Sequence, residues 1–103
     1  MIDAARDAVE ITAGKSRDDL EREKVLALAL ARCLEIVGEA ASRVSPETRD
    51  SLPEVEWRKI RQMRNILIHA YASVDYDIVW QTVRDDLPGL ITTLEQVLTE
   101  RSR

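Results

Sequence analysis

Apolar residues recur along this chain every three or four positions, the spacing that is typical of helices with one face in a core. The first such stretch covers residues 2–13 and is followed by Gly14, a residue type that commonly ends helices. Ser16 and Asp19 resemble a capping box and predict where a second helix begins. That helix, residues 17–44, is the longest, and its later part is apolar almost all round. We therefore predict that it is buried on several sides and forms the centre of the fold.

Two more helical segments follow a connector at residues 46–55, which starts with a proline and has room for one short helical turn. The third helix is predicted over residues 54–70. The fourth begins after Asp75, a favourable N-cap residue, and Pro88 is expected to kink or restart it near residues 85 and 86. Its apolar positions are Val79, Val83, Leu87, Leu90, Ile91, Leu94 and Leu98.

Together these segments predict an all-α, up-and-down bundle of four helices, or five with the connector, in a single domain over residues 1–103. Composition supports a folded helical chain, because Gly and Pro number only 3 each and 45% of the residues are hydrophobic. Cys33 is the only cysteine, so no internal disulfide can form, and we interpret it as a small core residue, not a nucleophile. No apolar run approaches the ~18 residues that span a bilayer, and the first residues do not resemble a signal peptide. We expect a cytoplasmic protein that does not contact the membrane.

Charge is distributed unevenly along the chain. The net charge of −4 argues against a protein that binds nucleic acid through its overall charge. Residues 57–71, however, contain no acidic residue, and the remainder of the chain carries −8. The cations of this segment are Arg58, Lys59, Arg61 and Arg64. One short positive segment therefore lies on an otherwise acidic protein.

The third helix carries the candidate chemistry. At about 100° per residue, one side collects Trp57, Ile60, Leu67, Ile68 and Tyr71 around Arg64, and another side collects Arg58, Arg61, Asn65 and His69. An arginine within an apolar stripe needs a partner or a function, since an unpaired buried charge is costly. His69 is the only histidine, and a lone histidine is more often structural than catalytic. Beside Arg64 and the basic stripe, it favours phosphodiester chemistry, because imidazole exchanges protons near neutral pH and guanidinium binds phosphate.

Arg64 and His69 lie five residues apart, which places them about 140° apart around a straight helix. Two explanations remain open. Either the helix ends or bends before His69, or the site is composite and forms at a two-fold interface between two copies of the chain. A dimer would also supply two histidines, one as a base and one as an acid.

Residues 64–71 read Arg-Asn-Ile-Leu-Ile-His-Ala-Tyr and match the R-x4-H-x-Y pattern of the HEPN superfamily. Over nearly its full length the chain resembles the HepT toxin family, the HEPN partners of MntA-type minimal nucleotidyltransferases. The supporting stretches are residues 35–41, 57–60, 63–65, 74–75, 78–80 and 86–88. One departure is visible, since Ala72 and Ser73 follow the motif where relatives often have an aromatic residue and a glycine.

The resemblance implies a HEPN-type bundle that forms a homodimer and acts as a toxin, a metal-independent endoribonuclease without a cofactor. In this role His69 moves protons, Arg64 holds the phosphate and Asn65 supports them, while the 2′-hydroxyl of RNA attacks. A nucleotidyltransferase antitoxin would silence the toxin by adding AMP to Tyr71. For the exposed cations Arg58, Lys59 and Arg61, contacts to RNA phosphates and a merely solvated helix face remain equally open.

A second hypothesis is a non-catalytic binding module that docks onto the nucleotidyltransferase and is modified by it. The negative net charge fits this hypothesis slightly better, whereas the combination of Arg64, Asn65 and His69 fits a ribonuclease. A third is a helical dimerisation domain with a degenerate motif, which the intact motif argues against. RNA cleavage by the protein alone distinguishes the first hypothesis from the other two.

Overall fold

The computed structural model describes the backbone of residues 1–69 and 76–101 and the side chains of residues 1–63 and 76–100. This part of the chain is helical without any strand, which confirms the all-α prediction. The α-helices are α1 (Ile2–Ile11), α2 (Asp19–Arg22), α3 (Lys24–Arg43), α4 (Pro46–Ser51), α5 (Trp57–His69), α6 (Tyr76–Gln81) and α7 (Leu87–Arg101). Thr82–Asp86 forms a π-helical stretch, here called the π segment, between α6 and α7. None of the helices described here is long and apolar enough to cross a membrane.

Helix α3 lies at the centre of the bundle, where it packs against α1 on one side and α5 on another, while α7 packs against α1. Its buried face carries Leu30, Leu34 and Val37, each at most 1% exposed. Ile60 of α5 and Leu87 at the start of α7 are also buried in this core. Because each such aliphatic side chain contributes roughly 1.5–3 kcal/mol when fully buried, this cluster fixes α5 against the rest of the bundle.

The prediction of one helix over residues 17–44 is wrong, because the chain breaks at Glu23, whose φ of −111° and ψ of 90° are extended. Lys15 Nζ lies 3.1 Å from the Glu23 carboxylate. The predicted pairing of Ser16 with Asp19 is present: the Asp19 carboxylate accepts a 2.8 Å hydrogen bond from the Ser16 backbone N–H. This hydrogen bond lowers the pKa of Asp19. Neither Gly nor Pro stands at the break, so the sequence does not predict that the helix is interrupted there.

Helix α3 is not buried on several sides as predicted. Val25 is 81% exposed and Leu28 is 61% exposed, and Ile36 on the same face is 39% exposed. The reason is that α1, α2 and α5 pack on other sides of α3, and this face stays uncovered among the described residues. Leu98, predicted as part of the α7 core stripe, is also half exposed.

The start of α5 differs from the prediction by three residues, since residues 53–55 form a turn and the helix begins at Trp57. The Trp57 indole N–H donates to the Leu52 carbonyl oxygen at 3.0 Å, which fixes the chain as it enters the helix. The predicted helical turn in the connector is α4, with Pro46 in its first turn and the Ser45 hydroxyl accepting from the Thr48 N–H. The predicted N-cap of α6, Asp75, lies outside the described residues.

Pro88 interrupts the last helix as predicted. Proline has no N–H, so the carbonyl four residues earlier loses its usual helical partner. The chain responds with a wider turn, in which the Leu87 N–H donates to the Thr82 carbonyl oxygen five residues back. The π segment is therefore the local solution to a proline near the start of α7.

Arg84 ties the π segment to the end of α1. Its guanidinium donates to the carbonyl oxygens of Thr12 at 3.0 Å and Lys15 at 3.1 Å. It also lies 4.5 Å from the centre of a Trp80 ring. These carbonyls flank Gly14, whose φ of +73° lets the chain leave α1 sharply. The guanidinium thus donates hydrogen bonds to carbonyl oxygens at the place where α1 ends and helical backbone donors are missing.

Arg84→Ala is expected to lower the free energy of unfolding by about 1–3 kcal/mol, because two carbonyls lose a charged donor and Trp80 loses a cation–π contact. Urea denaturation followed by circular dichroism measures the change. The control is Arg43→Ala, which removes an exposed ion pair with Glu39 and should cost only about 0.3–0.5 kcal/mol. Equal effects of the two substitutions would contradict a tethering role for Arg84.

Candidate functional site

Helix α5 divides into two faces in the half whose side chains are described. Trp57, Ile60 and Met63 are buried in the core, each at most 8% exposed. Arg58 and Arg61 are exposed. The predicted separation of an apolar stripe from a basic stripe is therefore confirmed for residues 57–63.

The exposed cations of α5 are available to an external anion. Within residues 1–63 and 76–100, no carboxylate pairs with Arg58, Lys59 or Arg61 at ion-pair distance, whereas Arg6, Arg32 and other surface cations do have such partners. A helix face with three unpaired cations concentrates positive potential on a chain that is otherwise acidic. Their assignment to RNA phosphates stays a prediction.

The backbone of α5 answers one of the open questions about the motif. The α-helix runs without a break from Trp57 through His69, so it does not end before the histidine. Arg64 and His69 therefore keep the angular separation of about 140° that five residues impose. The explanation that the helix ends early is wrong; a bend before His69 and a composite site stay open. The side chains of Arg64, Asn65 and His69 lie outside the described residues, as does all of Tyr71.

A groove lies between α5 and the helix that contains the π segment. It has a volume of about 200 Å³ and is called the α5–π groove here. Its walls are Lys59, Gln62, Met63, Ile78, Gln81, Thr82 and Asp86. Of these residues, sequence reasoning assigned chemistry only to Lys59. The position of Asp86 directly before the Leu-Pro pair that interrupts the helix could have pointed to that residue, whereas no sequence signal marks the remaining wall residues.

Asp86 is the acidic residue that lines the α5–π groove, and it is half-buried. Burial raises the pKa of its carboxyl; Lys59 opposes this shift, and the nearby Glu56 and Asp85 add to it. The fold therefore holds a carboxylate in surroundings that disfavour its charge. Such destabilised charges are more common at functional sites than elsewhere on protein surfaces.

The family model described as "Ribonuclease HepT-like" matches residues 1–97. The chain belongs to the HepT-like ribonuclease family. A candidate RNase from Methanocaldococcus jannaschii is 33% identical over 97 residues, which are 94% of this chain and 89% of the relative. No solved structure matches this chain.

Two further relatives also align with this chain over most of their length. A candidate RNase from Caldanaerobacter subterraneus is 37% identical over 87% of this chain and 80% of its own length. A candidate ribonuclease HepT from Thermococcus cleftensis is 38% identical over 78% of this chain and 73% of its own length. Since most of each protein is aligned, the similarity extends over most of the chain.

Cys33 of this HepT-like chain is partly buried and packs against the core. Burial raises the pKa of its thiol, which disfavours the reactive thiolate at neutral pH. This agrees with its interpretation as a packing residue. In the part of the chain that is described, no three His, Cys, Asp or Glu side chains come together as a metal site.

Asp86→Asn is expected to make this HepT-like protein more stable at pH 7. Folding raises the pKa of Asp86 above its ordinary value of 3.8, so the charged carboxylate opposes folding. This penalty is complete above the raised pKa and absent below 3.8. The difference in unfolding free energy between variant and wild type should therefore disappear as the pH falls from above the raised pKa to below 3.8. Thermal unfolding from pH 3 to 8 measures it. Asp85→Asn, which removes the same charge from an exposed neighbour, should change stability less.

Proposed function

We propose that this protein is an endoribonuclease toxin that cleaves RNA at a composite site shared by two copies of the chain. The observation that carries the proposal is the unbroken helix α5, which holds Arg64 and His69 on different sides of one helix. One phosphate then meets both groups most simply if they come from two facing helices. Membership in the HepT-like ribonuclease family supports RNA as the substrate.

The reaction is an intramolecular attack in RNA. The 2′-hydroxyl loses its proton to one His69 and attacks the adjacent phosphorus, while the bond from phosphorus to the 5′-oxygen breaks. A second His69, from the partner copy, protonates the leaving 5′-oxygen. Arg64 neutralises the charge that builds on the phosphoryl oxygens, and Asn65 supports this arrangement. The residues of the chain thus supply base, acid and charge stabilisation without a metal ion.

Substrate binding is assigned to the exposed cations Arg58, Lys59 and Arg61. They lie on the helix that carries the motif, up to two turns before Arg64. Phosphates on either side of the cleaved bond would contact these side chains, and the −8 charge of the remaining chain would keep RNA from other surfaces. Binding should accordingly weaken as salt concentration rises.

Self-association is supported by the uncovered face of α3. Val25, Leu28 and Ile36 lie on one side of this helix and expose large apolar side chains. A domain of 103 residues that exposes such a patch gains stability when another protein surface covers it. A homodimer is therefore part of the proposal.

Regulation is assigned to Tyr71, two residues after His69. A cognate MntA-like nucleotidyltransferase in the same cytoplasm would transfer AMP to its hydroxyl. The added phosphate and nucleoside would place negative charge and bulk beside the catalytic histidine and repel RNA. Tyr71 would thus be the off-switch of the toxin.

The competing proposal is a non-catalytic binding module that docks onto the nucleotidyltransferase and serves only as its substrate. The acidic net charge favours it. It accounts less well for the exposed cations on α5, since AMP transfer to Tyr71 does not need them.

The test compares protein expressed alone with protein co-expressed with the neighbouring nucleotidyltransferase gene. Intact mass and RNA cleavage are measured on both samples, with Tyr71→Phe as the control that cannot accept AMP. We expect cleavage by the lone protein and its loss when the mass of AMP appears, with Tyr71→Phe remaining active in both. An absence of cleavage in every sample, with AMP added to Tyr71, would support the binding module instead.

A further inference from the structure

We propose that the α5–π groove binds one unpaired RNA base, and that Asp86 accepts a hydrogen bond from an exocyclic amino group on that base. The groove would make cleavage selective for cytosine, adenine or guanine over uracil at one position of the substrate. This inference rests on the proposed function, since it takes RNA as the substrate.

The size of the α5–π groove fits a single ring system. Pockets for drug-sized ligands occupy roughly 300–1,000 Å³. The groove measures about 200 Å³, which is below that range. Its size suits one base, with the sugar and phosphate of the same nucleotide outside it.

The walls of the groove suit the flat face and polar edge of a base. Met63 and Ile78 supply apolar surface, and a methionine sulfur makes favourable contacts with aromatic rings. Gln62 and Gln81 are exposed at the rim. Neither amide has a hydrogen-bond partner in the described part of the chain, so each can both donate to and accept from a base edge. Unpaired RNA bases are recognised by this combination of stacking surface and polar groups.

Asp86 decides which kind of ligand the groove accepts. A carboxylate only accepts hydrogen bonds, and with Glu56 and Asp85 nearby it repels a phosphate. It attracts the amino groups of cytosine, adenine and guanine, as acidic side chains do with the amino group of cytosine in nucleic-acid complexes. Uracil instead presents two carbonyl oxygens on either side of one N–H. Lys59, on the opposite wall, is placed to contact a neighbouring phosphate.

The position of the groove on α5 links it to the motif. Met63, which lines the groove, directly precedes Arg64 in the helix. At a rise of about 1.5 Å per residue, Gln62 lies about 10 Å along the axis from His69. An RNA strand that follows α5 would thus place a base at the groove within a few nucleotides of the cleaved bond.

The π segment builds the second wall of the groove. Ile78, Thr82 and Asp86 are spaced four residues apart, and the wider π turn keeps this spacing on one side of the helix. The Thr82 hydroxyl donates to the Ile78 carbonyl oxygen at 2.9 Å, which holds that wall in place. π-helical turns inside α-helices occur frequently at functional sites, which agrees with a binding role here.

The test measures binding of fluorescent 2′-O-methyl hexanucleotides, which lack the attacking hydroxyl, to the full-length protein by fluorescence anisotropy. We expect oligo(C) to bind roughly tenfold more tightly than oligo(U), since one hydrogen bond to a charged acceptor distinguishes them. Asp86→Asn should reduce this ratio to near one, because an amide can satisfy either base. Asp85→Asn removes the same charge outside the groove and should leave the ratio unchanged.

The outcomes separate this inference from the proposed function. An equal ratio for wild type and Asp86→Asn, with RNA cleavage intact, would overturn the base subsite and leave the ribonuclease proposal standing. Loss of both RNA binding and cleavage in the wild type would overturn both. Misfolding does not obscure the result, since Asp86→Asn is expected to be more stable than wild type and thermal unfolding checks this. Binding of a lysine-rich peptide to the groove, blocked by Asp86→Asn while oligo(C) does not compete, would assign it to a protein partner.

Discussion

His69→Ala is expected to lower the rate of RNA cleavage by about 10²–10⁴-fold, the contribution that a general acid or base typically makes. The chain has no second histidine that could replace it. Because His69 is the last residue of α5, its loss should leave the packing of Trp57, Ile60 and Met63 intact. Cleavage of a fluorescent RNA measures the rate, while circular dichroism and sedimentation measure the fold and the oligomeric state.

Free imidazole provides the control for this substitution. If His69 acts by moving protons, imidazole in the buffer should restore part of the activity of His69→Ala and do nothing for an Arg64→Ala variant. Cleavage by His69→Ala at the wild-type rate would remove the histidine from the mechanism. Loss of activity together with loss of folded structure would instead assign His69 a structural role.

Arg64→Ala is expected to reduce cleavage by about 10²–10³-fold, because the developing charge on the phosphoryl oxygens loses a fixed donor. Arg61→Ala is the matched control, since it removes the same charge from an exposed position three residues earlier on α5. It should weaken RNA binding and leave the cleavage rate at saturation nearly unchanged. Equal losses of rate in the two variants would reduce Arg64 to a general contributor of positive charge.

Mixing wild type with His69→Ala tests whether the site is composite. If each site needs the His69 of both copies, a mixed dimer lacks one of the two histidines and is inactive. Random exchange of subunits in an equal mixture leaves a quarter of the dimers fully wild type, so activity should fall to about half of that before exchange. Unchanged activity, with mixed dimers demonstrated by mass spectrometry, would show that each copy carries a complete site.

The fold was largely predictable because apolar spacing reports which helix faces are buried, and the core of α3 and α7 follows that spacing. Two features were not predictable in this way. The break at Glu23 depends on local contacts, among them the ion pair with Lys15, which carry no apolar signal. The exposure of Val25 and Leu28 depends on how much of α3 its neighbours cover, and a sequence pattern cannot report that.

The candidate site was predictable in its residue types and not in its surroundings. The basic stripe and the angular separation of Arg64 from His69 follow from helical geometry alone. The α5–π groove does not, because it forms between segments about twenty residues apart that meet only when the bundle packs. Asp86 belongs to a stretch, residues 86–88, that supports the family resemblance, but its proposed chemical role depends on the side chains that line the groove with it.

The π segment determines how this part of the chain responds to a change in length. Val79, Val83 and Leu87 are all buried although they are four residues apart, a period longer than that of an ordinary α-helix, and the wider π turn takes up the difference. Deleting one residue from Thr82–Asp86 would leave Val79 and Leu87 seven residues apart, close to two regular turns, so both side chains would stay on the buried side. Homologous chains could therefore lose one residue here and keep the same core, whereas a second deletion would turn α6 by about 100° relative to α7.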